Sequence, residues 1–149
     1  MRVNLVLFWC LLTTALSTAG GLAHLYALPN KLRLNWQDYL VTQQIYRGWS
    51  LLGIVVIGSL ILNLVLAILL REDGSVFPLA LTAFLCMLGS QILFWIYTFP
   101  VNQMTKNWTV VPADWLRLRS RWEYSHAAGS LLDLAALVLL FMVALSRWK

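Results

Sequence analysis

Four long apolar stretches, at roughly 4–28, 48–70, 76–99 and 127–145, constrain this chain more than anything else in it. A helix needs ~20 apolar residues to cross a hydrocarbon core about 30 Å thick. Three stretches reach that length, and the fourth falls short only if its helix begins no earlier. The composition agrees: 60% of residues are hydrophobic and 11% charged, against about 25% charged in soluble domains. A soluble globule is therefore excluded. The length of 149 residues suits one domain, spanning 1–149. The expected fold is an all-α membrane protein whose four transmembrane helices form an up-down-up-down bundle. Both termini then lie on one side.

The breaks between stretches follow from proline, glycine and capping residues. Pro29 is expected to end the first helix. Asn35 reads as an N-cap, with Asp38 near the positive helix end. No breaker is expected between 36 and 70, with Gly48, Gly53 and Gly58 read as positions of close packing. The second helix is thus predicted to be continuous and to start well outside the bilayer, with Tyr39, Gln43, Tyr46 and Ser50 on one face. Asp73-Gly74 is expected to supply a left-handed turn. Pro78 opens the third helix, and Phe99-Pro100 is expected to close it. After an irregular stretch, 101–112, a start at Ala113-Asp114 leads into a fourth helix with no breaker to Trp148. Helices 2 and 4 therefore extend beyond the bilayer on the same side, the capped side.

The first stretch has a rival reading. Arg2, an apolar run over 3–16 and Ser17-Thr18-Ala19 before Gly20 resemble a cleaved signal peptide. Continuation of the apolar run to Leu28 favours a retained span. Cys10 and Cys86 fall in different spans and are read as small apolar residues rather than a disulfide or a metal pair. Lys31, Arg33, Arg47, Lys106, Arg117, Arg119 and Arg121 lie on the capped side. Arg2, Arg71, Arg147 and Lys149 lie on the other. Seven against four predicts a cytoplasmic cap. The net charge of +5 points to anionic lipid headgroups before nucleic acid, for which no motif appears.

Chemistry concentrates in Glu123-x-x-His126-x-x-x-Ser130-x-x-Asp133, whose offsets of three, seven and ten put all four side chains on one helix face. Ionisable residues inside a span are costly and are functional-site hypotheses by default. His24, near the end of the first helix, and His126, near the start of the fourth span, are both expected on the capped side. One carboxylate is expected to orient the His126 imidazole, the other to be held neutral by burial or to pair with Arg47, Arg119 or His24. Gln91 and Asn63 are the expected partners of Asp133. Two histidines at like depth are also able to ligate a haem axially, an alternative to a site without cofactor. Of the eight tryptophans, Trp49, Trp95, Trp122 and Trp148 read as an interfacial belt. Trp36, Trp108 and Trp115 read as the floor of a pocket for a flat hydrophobic ligand.

Three segments together carry a resemblance: Gly21-Leu-Ala-His24-Leu-Tyr-Ala-Leu-Pro29, then Gln44-Ile-Tyr-Arg47-Gly-Trp49, and Phe99-Pro-Val-Asn102 followed by Trp115-x-x-x-Arg119-x-x-Trp122-Glu123-x-x-His126. The pattern resembles the anthrone oxygenase-like family of small four-helix membrane proteins, most bacterial members of which form a domain of unknown function. The resemblance implies a bacterial inner-membrane protein and a cofactor-independent oxygenase that converts an anthrone to an anthraquinone. In that reading His126 is the base, Glu123 orients it, and Arg47 or Asn102 steadies the developing enolate oxygen. Trp122 and Tyr46 stack on the ring system. The competing expectation is a non-catalytic membrane subunit or assembly factor, or a homo-oligomer, whose polar face binds partner helices.

Overall fold

The computed structural model describes residues 2–147, so the expectations for Trp148 and Lys149 lie outside the described residues. Six helices follow one another: α1 (Arg2–Lys31), α2 (Trp36–Gln43), α3 (Leu52–Leu69), α4 (Phe77–Leu93), α5 (Phe99–Met104) and α6 (Trp115–Arg147). Among the described residues there is no strand. Four helical stretches are long and apolar enough to cross a membrane: Arg2–Lys31, Trp49–Leu69, Phe77–Met104 and Trp115–Arg147. The chain is thus an all-α, four-helix integral membrane protein. With no water in the hydrocarbon to satisfy peptide groups, helices that bond internally are what such a chain forms. Large aliphatic side chains including Ile54, Ile61, Leu85, Leu131 and Val138 point outward, where lipid tails would cover them.

Three helix boundaries differ from those expected. Pro29 does not end α1, which runs two residues further to Lys31. The helix predicted over 36–70 is broken, because Gly48 adopts φ +84. Two short 3-10 turns, Gln44–Tyr46 and Trp49–Leu51, flank that kink, so α2 leaves the line of α3. Asn35 does cap α2, accepting the Asp38 amide at 2.9 Å. Phe99-Pro100 does not close the third crossing. A π-helical stretch, Phe94–Thr98, joins α4 to α5, and Pro100 sits in the first turn of α5, where its missing N–H costs nothing. Gly74 supplies no left-handed bend; among the described residues the left-handed ones besides Gly48 are Lys106, Asn107 and Trp108 in the α5–α6 loop. The fourth helix matches its expectation. Its 33 residues span about 50 Å at 1.5 Å per residue, well beyond the ~30 Å hydrocarbon core.

The bundle is built in tiers. Towards the termini, α1, α3, α4 and α6 close on a dry core that includes Cys10, Leu66, Ala83, Met87 and Leu140. Cys10 and Cys86 are free thiols. Arg147 reaches Asp73 at 3.8 Å, which places the C-terminal end of α6 beside the α3–α4 turn. At the capped end Tyr39, Val101, Trp108, Leu118 and Trp122 form a second cluster. Close helix contact at mid-depth depends on Gly21, where a Cβ would meet the Ser130 Oγ at 2.7 Å. Between the two cores the bundle does not fill.

Candidate functional site

A cavity of about 690 Å³ occupies that unfilled tier, within the usual range of about 300–1,000 Å³ for small-molecule sites. Both histidines line it. Their rings stack, with centroids 4.3 Å apart and planes at 12°. Gly21 permits this approach, because it lets α1 and α6 close one turn away from His24. Aromatic side chains surround the pair: Tyr46 lies 4.3 Å from His24 and Trp122 4.3 Å from His126. Trp49 meets His24 edge-on at 5.7 Å, and Phe94 meets His126 at 6.5 Å.

Behind the His24 ring sits a buried charge network that the sequence reading missed. Lys31 forms an ion pair with Glu123 at 2.7 Å, with both side chains almost fully enclosed. The same ammonium contacts His24 Nδ1 at 3.4 Å and the Tyr46 hydroxyl at 3.3 Å. Its three donors are thereby used. An ammonium has no lone pair to offer, so Nδ1 of His24 accepts and the ring proton resides on Nε2. On the far side of the carboxylate, the Tyr39 hydroxyl donates to Glu123 Oε1 at 2.9 Å and Gln43 donates at 3.5 Å. The Tyr39 hydroxyl is pushed above its ordinary range by burial first and by the Glu123 charge second. The Tyr46 hydroxyl is pushed up to about 12 for the same reasons. The network ties α2 to the end of α1 and to α6, and α2 therefore roofs the cavity. Lys31 lies seven residues after His24, two turns along one helix face; that spacing is the signal by which it was findable.

The predicted site residues separate into two groups. His24, His126, Asp133, Arg47, Asn102, Trp122 and Tyr46 all line the cavity. Glu123 does not orient His126: its carboxylate is engaged by Lys31, Tyr39 and Gln43. None of the three expected cations pairs with it. Arg119 is turned away from the site. It donates to the Leu34 carbonyl at 2.7 Å and lies over the Trp115 ring at 4.7 Å, capping the α1–α2 connection. Arg47 is exposed at the cavity rim. Asn102 Oδ1 accepts from the Trp122 indole at 2.7 Å, which leaves its amide N–H groups to donate. Among the described residues nothing hydrogen-bonds the His126 ring, so its nitrogens remain available to the cavity.

The remaining expectations divide in the same way. Asn63 is not a partner of Asp133; it bonds Thr14 at 3.1 Å and the Ser59 carbonyl at 2.9 Å. Trp49, Trp95, Trp108 and Trp122 line the cavity, whereas Trp36 and Trp115 do not. Three successive left-handed residues ending at Trp108 (φ 59) turn that side chain under the roof, edge-on to Tyr39 at 4.8 Å. The π-helical stretch rotates Thr98 inward, where its hydroxyl meets that of Ser125 at 2.7 Å. Such stretches occur often at functional sites. Rings stacked face to face do not present nitrogens to opposite sides of one iron, so the histidine pair is not arranged for axial haem ligation. Among the described residues no three His, Cys, Asp or Glu side chains gather to hold a metal.

No family model matches this chain. No curated protein and no solved structure is significantly similar to it.

Proposed function

We propose that the cavity binds a planar hydrophobic molecule from the membrane and that the protein is a cofactor-independent oxygenase of the anthrone-to-anthraquinone type. One observation carries this reading: two stacked imidazoles, one with unengaged nitrogens, form the wall of an aromatic-lined cavity of about 690 Å³. The resemblance of the His24, Arg47–Trp49 and Trp115–His126 segments to the anthrone oxygenase-like family supports the substrate class.

The chemistry requires only a base and a pocket that tolerates oxygen. His126 removes a proton from the ring methylene, leaving an electron-rich enolate. Donors at the enolate oxygen stabilise that charge in a low-dielectric site, and the Asn102 amide and the Arg47 guanidinium are the groups able to reach it. The enolate carbon passes electrons to dioxygen and forms a C–O bond. Loss of water then leaves the second ketone, so one oxygen atom enters the product and the other leaves as water. Two C–H bonds are oxidised and one dioxygen is reduced, with no external reductant. Lys31 and Glu123 act through His24, holding the ring against which His126 packs. The protein is read as residing in a bacterial inner membrane with the cap cytoplasmic, where Arg33, Arg47, Lys106, Arg117 and Arg121 outnumber Arg2, Arg71 and Arg147.

The test is anthraquinone formation in proteoliposomes under air, corrected for spontaneous oxidation. His126→Ala should lower the rate by about 10²–10⁴-fold, the usual contribution of a positioned base, while helix content is retained. Absence of turnover in the unaltered protein would refute the oxygenase reading. Unchanged turnover in His126→Ala, together with loss of a co-purifying protein, would favour the membrane-subunit reading.

A further inference from the structure

The deep end of the cavity differs chemically from the histidine end. There α6 contributes Gly129, Ser130 and Asp133, α4 contributes Ser90 and Gln91, and α1 contributes Ser17. Asp133 is 7% exposed and lines the cavity, with Ser90 and Ser17 as polar neighbours of its carboxylate. Its Oδ1 is buried and has no hydrogen-bond partner. Neither Asn63 nor Gln91, the partners expected of it, bonds to it. Ser130 is already committed, donating to the His126 carbonyl at 2.6 Å. Native proteins rarely keep a buried acceptor unmet, and this one faces a cavity.

From this geometry we infer that Asp133 is a specificity-determining residue: it accepts a hydrogen bond from a hydroxyl on the end of the planar ligand that enters deepest. The inference rests on the cavity being a ligand site, as proposed above, and adds which ligand it prefers. Helix geometry sets the scale. His126 and Asp133 are seven residues apart on one face, an axial offset of about 10 Å, and both side chains lean the same way along the helix. Subtracting a contact of about 3 Å at each end leaves about 4 Å between the ring carbon beside His126 and the hydroxyl oxygen. An adjoining fused ring spans that gap. A ring without a hydroxyl would strand the carboxylate, and a methyl ether would add bulk while offering no donor. A site built to bond a hydroxyl rejects analogues that lack one more strongly than an apolar pocket rejects a mismatch in size.

The experiment measures binding of 2-hydroxyanthraquinone, 2-methoxyanthraquinone and unsubstituted anthraquinone to the detergent-solubilised full chain at pH 6, by quenching of tryptophan fluorescence. The hydroxyl compound should bind about tenfold tighter than the other two, as expected when the alternative is a buried acceptor left unmet. Asp133→Leu should abolish the preference, because the carboxylate that a ring without a hydroxyl strands is gone. Asp133→Asn, which keeps a carbonyl acceptor, should retain part of the preference, and His126→Ala should retain all of it. Equal binding of the three compounds by the unaltered protein would overturn this inference and leave the ligand-site reading standing. Equal loss of all three in Asp133→Leu would reduce Asp133 to a structural role and overturn it as well. If none of the compounds quenches, the ligand-site reading fails, and the inference fails with it.

Discussion

Replacing Lys31 by methionine keeps an unbranched side chain one atom shorter and removes its charge from the centre of the network. The Lys31 and Glu123 side chains are 3% and 0% exposed, at 2.7 Å, so water cannot replace the lost ammonium. Removing one partner of such a pair typically costs about 3–5 kcal/mol, mostly because an uncompensated charge stays buried. Here Tyr39 and Gln43 still donate to Oε1, which places the expected loss near the lower end, about 3 kcal/mol. The contacts of Lys31 with His24 and Tyr46, at 3.4 and 3.3 Å, are long and add little. The decisive comparison is the double variant Lys31→Met/Glu123→Gln. It has no buried charge at this position and keeps an acceptor for Tyr39. It should recover at least about 1.5 kcal/mol relative to Lys31→Met alone, within the coupling found for contacting residues. Reversible unfolding by SDS titration in mixed micelles reads both values. A Lys31→Met variant within about 1 kcal/mol of the parent, or a double variant whose loss is the plain sum of its singles, would refute the reasoning.

Two further outcomes follow from the packing and the titration of the cap. Gly21→Ala would drive a Cβ to 2.7 Å from the Ser130 Oγ and 3.3 Å from the Ser130 Cα. It should cost about 1–3 kcal/mol by overpacking, whereas Gly53→Ala, with nothing within 4 Å, should be near neutral in the same SDS titration. The Tyr39 and Tyr46 hydroxyls have folded-state values raised above the ordinary 10, that of Tyr46 to about 12. A raised value means the folded state holds the proton more tightly. Their contribution to stability is therefore complete below pH 10; that of Tyr46 is lost as the pH rises through 12, and that of Tyr39 only at higher pH. Tyrosinate absorbance should lag behind that of the unfolded chain over this window, and Tyr46→Phe should shrink the lag. Simultaneous ionisation of all five tyrosines near pH 10 would contradict the buried network.

Much of the architecture was legible because it depends on quantities that sum along the chain. Apolar length alone separates four spans from their connections, and the 3.6-residue period puts Glu123, His126, Ser130 and Asp133 on one face wherever α6 packs. The N-cap at Asn35 was legible for a similar reason, since an Asn–Asp38 pair satisfies its own backbone locally. The failures are equally physical. Gly48 fits a helix interior or a left-handed kink, and only docking of α2 over the cavity selects the kink. Pro100 ends a helix or starts one, depending on whether the preceding turn widens into a π-helical stretch that frees the carbonyl it would otherwise clash with.

Partner choice lay beyond the chain's own pattern. Glu123 had Arg47, Arg119 and His24 as plausible counter-charges by proximity in sequence or expected depth, yet Lys31 takes it. The reason is steric: α1 continues two residues past Pro29, far enough to carry Lys31 under the roof, while the Arg119 guanidinium is taken up by the Leu34 carbonyl and the Trp115 ring. By itself, the order of residues determined that this is a membrane-embedded helical bundle with both of its histidines at one end. The convergence of two imidazoles on a shared cavity, and the unpaired Asp133 oxygen at its floor, were decided by how the helices meet, because a contact between distant side chains depends on the crossing of their backbones.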